Sequence, residues 1–206
     1  YIMMENIELI KKQMEGKDAI AIGPGLSLNN STIEAVHWIV EHSTVPLVLD
    51  ADALNAVARN VFLLKKLKTT AVITPHPGEM ARLTGKTIEQ IQKDRINVAK
   101  EFACKWNVIT VLKGWRTVIA LPDGIIYINL TGNPGMATAG TGDVLTGLIA
   151  GLIAQGIHPS YAACAGVYIH GLAGDMAASR IGEHGIIASD LVEEIPIAMK
   201  AIIVSG

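Results

Sequence analysis

Aromatic residues are scarce in this 206-residue chain, where tryptophan, tyrosine and phenylalanine together make up 4% of the sequence. Charged residues are also few, at 17%, while half of the chain is hydrophobic. This composition excludes an intrinsically disordered chain and predicts a core built from alanine, valine, isoleucine, leucine and glycine. The length suits one domain, which we expect to span residues 1–206.

The chain also lacks any cluster of basic residues. Its 17 lysines and arginines are scattered, the formal net charge is −2 and the pI is near 6.3. We therefore expect no nucleic-acid partner. A small anionic ligand is compatible with this charge, because helix N-termini and backbone amides bind phosphate without net positive charge.

Cysteine is rare as well. The two cysteines, Cys104 and Cys164, show neither metal-ligand spacing nor a disulfide framework. We predict that both are buried small hydrophobic residues in a reducing, cytoplasmic environment. The most apolar stretch, Val144 to Ala154, is too short to span a bilayer, and the first residues show no signal-peptide pattern, so we expect no membrane partner.

Short apolar runs alternate with helical patterns along the chain. The predicted strands are 18–22, 47–49, 72–73, 108–112, 117–121 and 125–130. The predicted helices are 30–42, 52–59, one from Glu79, 87–106, 141–155, 159–181 and 188–203. This order predicts an α/β fold with a mainly parallel sheet, buried on both faces, and an antiparallel hairpin at one edge.

Ligands of such folds bind beyond the carboxyl ends of the strands. The loops that follow predicted strands are 23–29, 50–55, 74–79, 113–117 and 131–143. Each of them carries polar residues or glycines, while the middles of the strands carry none. The sequence therefore predicts a site formed jointly by these loops.

The clearest chemistry lies where the last of these loops becomes a helix, at Gly140, Thr141, Gly142 and Asp143. Glycines let backbone amides turn toward a ligand, and the first N–H groups of a helix have no partners within it. With the helix dipole, these amides form an anion hole for a phosphoryl group in transfer, and Asp143 can accept the proton of the attacking hydroxyl. The alternative is a structural turn followed by an acid that complements the dipole.

Loop 74–79 combines a histidine and a glutamate around a Pro-Gly turn. The turn at Pro77 and Gly78 predicts that His76 and Glu79 lie close together. His76 is a candidate for substrate binding. Glu79 is either an ordinary first-turn acid or an acid that orients Mg²⁺ through water.

Loop 50–55 places two acids and an amide after another strand. Asp52 fits the N-cap of the next helix. Asp50 and Asn55 are harder to explain as caps and are candidates for the site.

Loop 113–117 ends a strand with two cations beside a glycine, and its backbone or Lys113 is a candidate for binding phosphates or an adenine ribose. Gly25, in a Gly-Pro-Gly turn, is a weaker candidate for close approach to a ligand. Gly147, Gly151 and the alanine- and glycine-rich helix at 159–181 are interpreted as sites of tight helix packing, and His170 as a structural residue.

Taken together, these motifs resemble the ribokinase-like superfamily and, within it, the ADP/ATP-dependent NAD(P)H-hydrate dehydratases, the carbohydrate-kinase-related domain of the YjeF type. The resemblance covers essentially the whole chain. It rests on Asn133-Pro134-Gly135-Met136-Ala137-Thr138 running into Gly140 to Leu145, on residues 75–79 and 50–55, and on Lys113-Gly114 with Thr117. It implies a three-layer α/β/α fold.

The resemblance also implies a repair reaction. Hydrated NADH or NADPH carries a hydroxyl on its nicotinamide ring, which ADP or ATP phosphorylates with Mg²⁺ present. Elimination of phosphate then restores the dinucleotide. The small-residue helices and apolar composition favour a homo-oligomer, a dimer or a tetramer.

Site roles follow from the same resemblance. Asp143 is the base, and Gly140, Thr141 and Gly142 contact the transferred phosphate. The residues assigned to the hydrated dinucleotide are Gly25, Asp50, Asn55, His76, Asn133 and Asp143. The residues assigned to ADP or ATP are Lys113, Gly114, Trp115, Arg116, Thr117 and Gly142, and Glu79 is assigned to the metal through water.

The chain departs from the family pattern in two respects. The family usually has a further segment before Tyr1, including an early strand, and without it we expect an exposed sheet edge. Ser27 and Ala139 stand where the family often has glycine.

Two other functions compete with this one. The first is a kinase of the same superfamily that acts on a thiazole or pyrimidine alcohol and releases a stable phosphate ester. The second is a catalytically silent module that binds nucleotide.

Overall fold

The computed structural model describes residues 2–204, with side chains described as far as residue 202. The strands are β1 (Ile20–Ile22), β2 (Leu47–Leu49), β3 (Ala71–Ile73), β4 (Ile109–Leu112), β5 (Val118–Ala120) and β6 (Ile126–Ile128). The helices are α1 (Ile7–Met14), α2 (Asn30–His42), α3 (Ala51–Ala58), α4 (Pro77–Thr84), α5 (Ile88–Lys93), α6 (Arg95–Trp106), α7 (Thr141–Ala154), α8 (Pro159–Ile181) and α9 (Ala188–Val204).

The strands form one sheet in chain order, from β1 to β6. β1 to β4 pair in parallel, and β5 and β6 add an antiparallel hairpin beside β4. This confirms the mainly parallel sheet with its edge hairpin. β1 forms the opposite edge, where Ala21 is exposed.

Helices cover both faces of the sheet. Because side chains alternate along a strand, Leu47 and Leu49 of β2 pack with α2, α3 and α6, whereas Val48 packs on the opposite face with α7, α8 and α9. Successive right-handed crossovers in one direction place the helices between β1 and β4 on the same face. The predicted three-layer α/β/α arrangement is thereby confirmed.

The loops predicted to form the site all lie at one end of the sheet, where β1 to β4 have their carboxyl ends. Parallel pairing brings the carboxyl ends of β1 to β4 together. The start of β5 and the end of β6 lie at this same end of the sheet, because Val118 pairs with both Leu112 and Ile128 in antiparallel fashion. Loops 113–117 and 131–143 therefore join the other three.

Several local predictions were wrong. The helix expected over 87–106 is broken at Asp94, whose φ of −144° leaves it outside the helices on either side. Aspartate favours a helix start over a helix interior, which explains the break. Helix α1 and a 3₁₀ helix at Val61–Lys66 were not predicted.

Some small residues also pack differently from the prediction. A Cβ on Gly147 or Gly151 would meet no atom within 4 Å, so neither glycine is a site of tight packing. For the helix at 159–181 the prediction is confirmed, because glycines of α8 approach other elements closely. Cys104 is exposed because it lies on the outer side of α6, and Cys164 is only partly buried. Within residues 2–204, no helix is both long and apolar enough to cross a bilayer.

Candidate active site

The α7 helix begins without a side-chain cap. Gly140 occupies the N-cap position with a φ of 87°, a left-handed conformation that glycine adopts without strain. Within residues 2–204, the amides of Gly140, Gly142 and Asp143 have no hydrogen-bond partner. Unpaired donors and the positive end of the helix dipole therefore meet at one point, which is the chemistry of an anion hole.

Asp143 lies beside these amides in the first turn of α7. Its side chain is exposed and makes no hydrogen bond or ion pair with any side chain or backbone group in the part of the chain that the structure describes. The carboxylate is thus free to accept a proton from a bound hydroxyl. This geometry is compatible with the predicted base.

An ion pair between a partly buried lysine and a buried aspartate lies directly beneath the first turn of α7. Lys113 Nζ, at the end of β4, is 2.6 Å from Oδ1 of Asp50, at the end of β2. The Thr146 hydroxyl donates to Oδ2 of Asp50 over 2.8 Å. A Cβ on Gly142 would come within 3.4 Å of the Lys113 ammonium, so this cation lies against the anion hole. Both Asp50 oxygens are already engaged.

Sequence reasoning missed Arg95, which holds loop 113–117 in place. Its guanidinium donates to the carbonyl oxygens of Leu112, Lys113 and Trp115 at 2.8–3.1 Å. Burial lowers the pKa of Arg95. Arg95 is the first residue of α6, after the Asp94 break, and no local sequence pattern points to its contacts.

The rest of loop 113–117 is open to solvent. Trp115 is 75% exposed, and the Arg116 guanidinium stacks on its ring at 4.4 Å from the centroid. The Thr117 hydroxyl donates to the Gly114 carbonyl. A Cβ on Gly114 would lie 2.8 Å from the Arg95 guanidinium, which explains the glycine.

His76 and Glu79 lie together, as predicted, but as a capping box for α4. The His76 amide donates to Oε2 of Glu79 over 2.8 Å, and the Gly78 amide donates to Nδ1 of His76 over 2.9 Å. Oε1 of Glu79 is 3.3 Å from Nε2 of His76. These bonds account for the burial of Glu79, and its assignment to a metal stays a prediction.

Loop 23–29 packs against the end of β2. A Cβ on Gly23 would lie 1.8 Å from the Asp50 carbonyl oxygen, so this position requires glycine. Ser27 has a φ of 72°, which explains why glycine suits this position. Its amide donates to Oδ2 of Asp52 over 2.8 Å. The prediction that Asp52 is an N-cap was wrong, because α3 starts one residue after Asp50.

The remaining predicted residues are either exposed or already hydrogen-bonded within the protein. Gly25 has open space where a Cβ would stand. Asn55 accepts a hydrogen bond from Arg82 over 3.0 Å. The side chain of Asn133 is used on both sides, accepting from the Gly135 amide and donating to Asp175. The assignment of each residue to a particular ligand stays a prediction.

Known proteins match this chain over nearly its whole length. The model of the NAD(P)H-hydrate dehydratase family matches residues 2–197. The chain belongs to this family. The bifunctional NAD(P)H-hydrate repair enzyme Nnr of Moorella thermoacetica is 52% identical over 183 residues, which are 89% of this chain and 34% of that protein. An ADP-dependent (S)-NAD(P)H-hydrate dehydratase of Neisseria meningitidis is 38% identical over 92% of this chain and 65% of its own length.

Solved structures agree with the family membership. The ADP/ATP-dependent NAD(P)H-hydrate dehydratase of Bacillus subtilis, crystallised with ATP and Mg²⁺, superposes with a TM-score of 0.83 at 37% identity, over 93% of this chain and 69% of that one. The Thermotoga maritima ribokinase, at 19% identity, superposes with a TM-score of 0.61 over 94% of this chain and 61% of that one. The second match shows the ribokinase-like fold alone. The chain spans less than two thirds of the length of the two curated relatives named above.

Proposed function

We propose that this protein dehydrates hydrated NADH and NADPH at the expense of ADP or ATP. The terminal phosphoryl group of the nucleotide passes to the ring hydroxyl of the hydrate, whose proton leaves with the base. The carbon–oxygen bond of the new phosphate ester then breaks, phosphate departs with the bonding electron pair, and loss of a proton from the neighbouring ring carbon restores the ring double bond of NAD(P)H. The family to which the chain belongs supports this reaction.

One observation carries the proposal: an uncapped helix start with unpaired amides stands beside an acid that has no partner among the described residues. The amides of Gly140 and Gly142 offer donors to the phosphoryl oxygens as charge spreads over them. Asp143 takes the hydroxyl proton. Lys113 places a cation behind the amides. Asp50 pairs with that cation, and the Thr146 hydroxyl donates to the other oxygen of Asp50.

We place the adenine nucleotide over loop 113–117 and the hydrated dinucleotide near Gly25 and His76. The exposed, flat surface of Trp115 and Arg116 suits a nucleotide base or ribose. His76 is half exposed and faces the same edge of the sheet. Three residues support the loops on the substrate side, because their side chains already form bonds within the protein. These residues are Asp50, Asn55 and Asn133.

Mg²⁺ fits this site as an ion that the nucleotide carries. Among the residues that the structure describes, no group of three or more histidine, cysteine, aspartate or glutamate side chains could hold a metal. Mg²⁺ keeps several waters and is commonly held by substrate phosphates with few protein ligands. When bound, it neutralises phosphate charge.

The cytoplasmic location and the homo-oligomer stay predictions.

The test is an absorbance assay for reduced nicotinamide. The protein is mixed with NADH hydrate and Mg²⁺, and ADP or ATP is added in turn, with a nucleotide-free sample as control. We expect an absorbance rise that depends on nucleotide, and its rate with each donor identifies the preferred one. No rise with the hydrate, together with a stable phosphate ester formed in a parallel sample that holds a thiazole or pyrimidine alcohol, would indicate the alcohol kinase. Nucleotide binding without any turnover would indicate the silent module.

A further inference from the structure

Loop 131–143 lies in a depression on α8 that two glycines create. A Cβ on Gly171 would stand 2.2 Å from Oγ1 of Thr131, and a Cβ on Gly174 would stand 2.2 Å from Sδ of Met136. A larger residue at Gly171 would also meet the Thr131 backbone and displace the loop, whereas one at Gly174 would displace the Met136 side chain. The loop and this stretch of α8 therefore form one fitted unit.

Asp175 holds the first part of this loop. Its Oδ2 accepts from the Gly132 amide over 2.8 Å, and its Oδ1 accepts from Nδ2 of Asn133 over 3.0 Å. Asn133 passes the restraint on, because its Oδ1 accepts from the Gly135 amide over 3.1 Å. One carboxylate on α8 thus orders the segment that leads into the 3₁₀ turn at Pro134–Met136.

His170 holds the other end, at the start of α7. Its buried Nε2 lies 2.9 Å from the Thr141 carbonyl oxygen, so this nitrogen carries the hydrogen and donates it. The Thr141 hydroxyl in turn donates to the carbonyl oxygens of Met136 and Thr138, each over 2.9 Å. The anion hole is therefore tied both to α8 and to the middle of its own loop.

We infer that Asp175 and His170 are positioning residues, which act through the backbone of loop 131–143 to aim the amides at Gly140–Gly142 toward the transferred phosphoryl group. This inference rests on the proposed function. Neither residue contacts the reacting atoms through its own side chain. Their effect falls on the transition state, in which the donors must be placed most accurately.

The experiment compares variants that remove these contacts with variants that keep them. Asp175→Asn replaces one carboxylate oxygen by an NH₂ group. This donor then faces one of the two N–H donors from which the carboxylate accepts hydrogen bonds. His170→Leu removes the donor to Thr141, whereas His170→Gln keeps a donor of similar reach. Glu194→Gln is the matched control, because Glu194 is a buried acid that accepts from Arg180 of α8 over 2.8 Å and makes no hydrogen bond to loop 131–143.

We expect kcat to fall about 100-fold in Asp175→Asn and in His170→Leu, with KM for the nucleotide changed much less. His170→Gln recovers most of that loss. Glu194→Gln lowers Tm as much as the loop variants do and keeps the wild-type kcat. Wild-type kcat in Asp175→Asn, or an equal kcat loss in Glu194→Gln, would overturn the inference.

Hydrogen exchange separates this inference from the proposed function. In Asp175→Asn, amides within residues 132–141 exchange faster, and those of the distant sheet strands do not. If the wild type shows no dehydratase turnover, the proposed function fails, and the exchange result still decides whether α8 orders the loop. Unchanged protection of residues 132–141 in Asp175→Asn would refute the positioning role even in an active enzyme.

Discussion

Two helices, α4 and α7, start at the same end of the sheet, and the third residue of each helix is an acid. In α4, Glu79 is 5% exposed and accepts the His76 amide in a complete capping box. In α7, Asp143 is exposed, and its own amide and those of Gly140 and Gly142 have no partner among residues 2–204. One helix start is thus closed by its own side chains, and the other is left open for a ligand.

The N-cap residue accounts for the difference. His76 is in an extended conformation and supplies a ring nitrogen to the Gly78 amide. Gly140 has no side chain and turns with a positive φ, so no cap side chain satisfies the amides of Gly142 and Asp143 in the first turn of α7. An unpaired helix start is costly unless water or an anion satisfies it, which is why it indicates a binding site.

The largest expected effect tests the open helix start. Asp143→Asn should lower kcat about 100-fold or more, because it removes the general base. Its Tm should stay at the wild-type value, since the carboxylate has no partner within the described residues. Steady-state turnover and thermal unfolding measure the two quantities. Glu89→Gln, which changes an exposed first-turn acid of α5, is the control and should alter neither. Retained turnover in Asp143→Asn would contradict the base.

The next effect concerns the residue that supports the open start. Burial lowers the pKa of His170 to about 4, with a smaller lowering by the nearby charge of Lys113 and an opposing effect of its bond to Thr141. Because the unfolded chain binds this proton more readily, the His170 contribution to stability is complete above pH 6.5 and is lost as pH falls toward 4.

From that shift, the wild type should lose about 2 kcal/mol more unfolding free energy than His170→Gln between pH 7.5 and pH 5. Urea unfolding at both pH values measures the difference. Parallel pH profiles for the two proteins would show that His170 is not held neutral by the fold.

The smallest expected effect concerns the closed helix start. Glu79→Ala should lower the free energy of unfolding by about 1 kcal/mol, because the His76 amide loses its acceptor. Glu79→Gln, which keeps an oxygen acceptor, should lose less. Urea denaturation of both variants gives the comparison. Equal losses would mean that the negative charge, and not the hydrogen bond, matters at this position.

Much of this architecture was predictable from local patterns. The apolar runs at 47–49 and 108–112 predicted buried parallel strands, and Pro122-Asp123-Gly124 predicted the hairpin. Asp143 and its glycines were found because a helix start with glycines has a distinctive composition. Arg95 was missed because a single arginine within a helical pattern gives no local sign of the carbonyl groups that it contacts.

The sequence by itself therefore determined the order of the elements, the layers and the edge at which the loops meet, because side-chain periodicity and chain connectivity specify them. Tertiary structure alone decided which acids are free. Glu79 and Asp143 look alike in the sequence, yet their partners are set by the N-cap conformation and by contacts from other elements. Asp50 meets Lys113 only because parallel pairing brings together residues far apart in the chain. Long-range contacts of this kind leave no local pattern that could be read in advance.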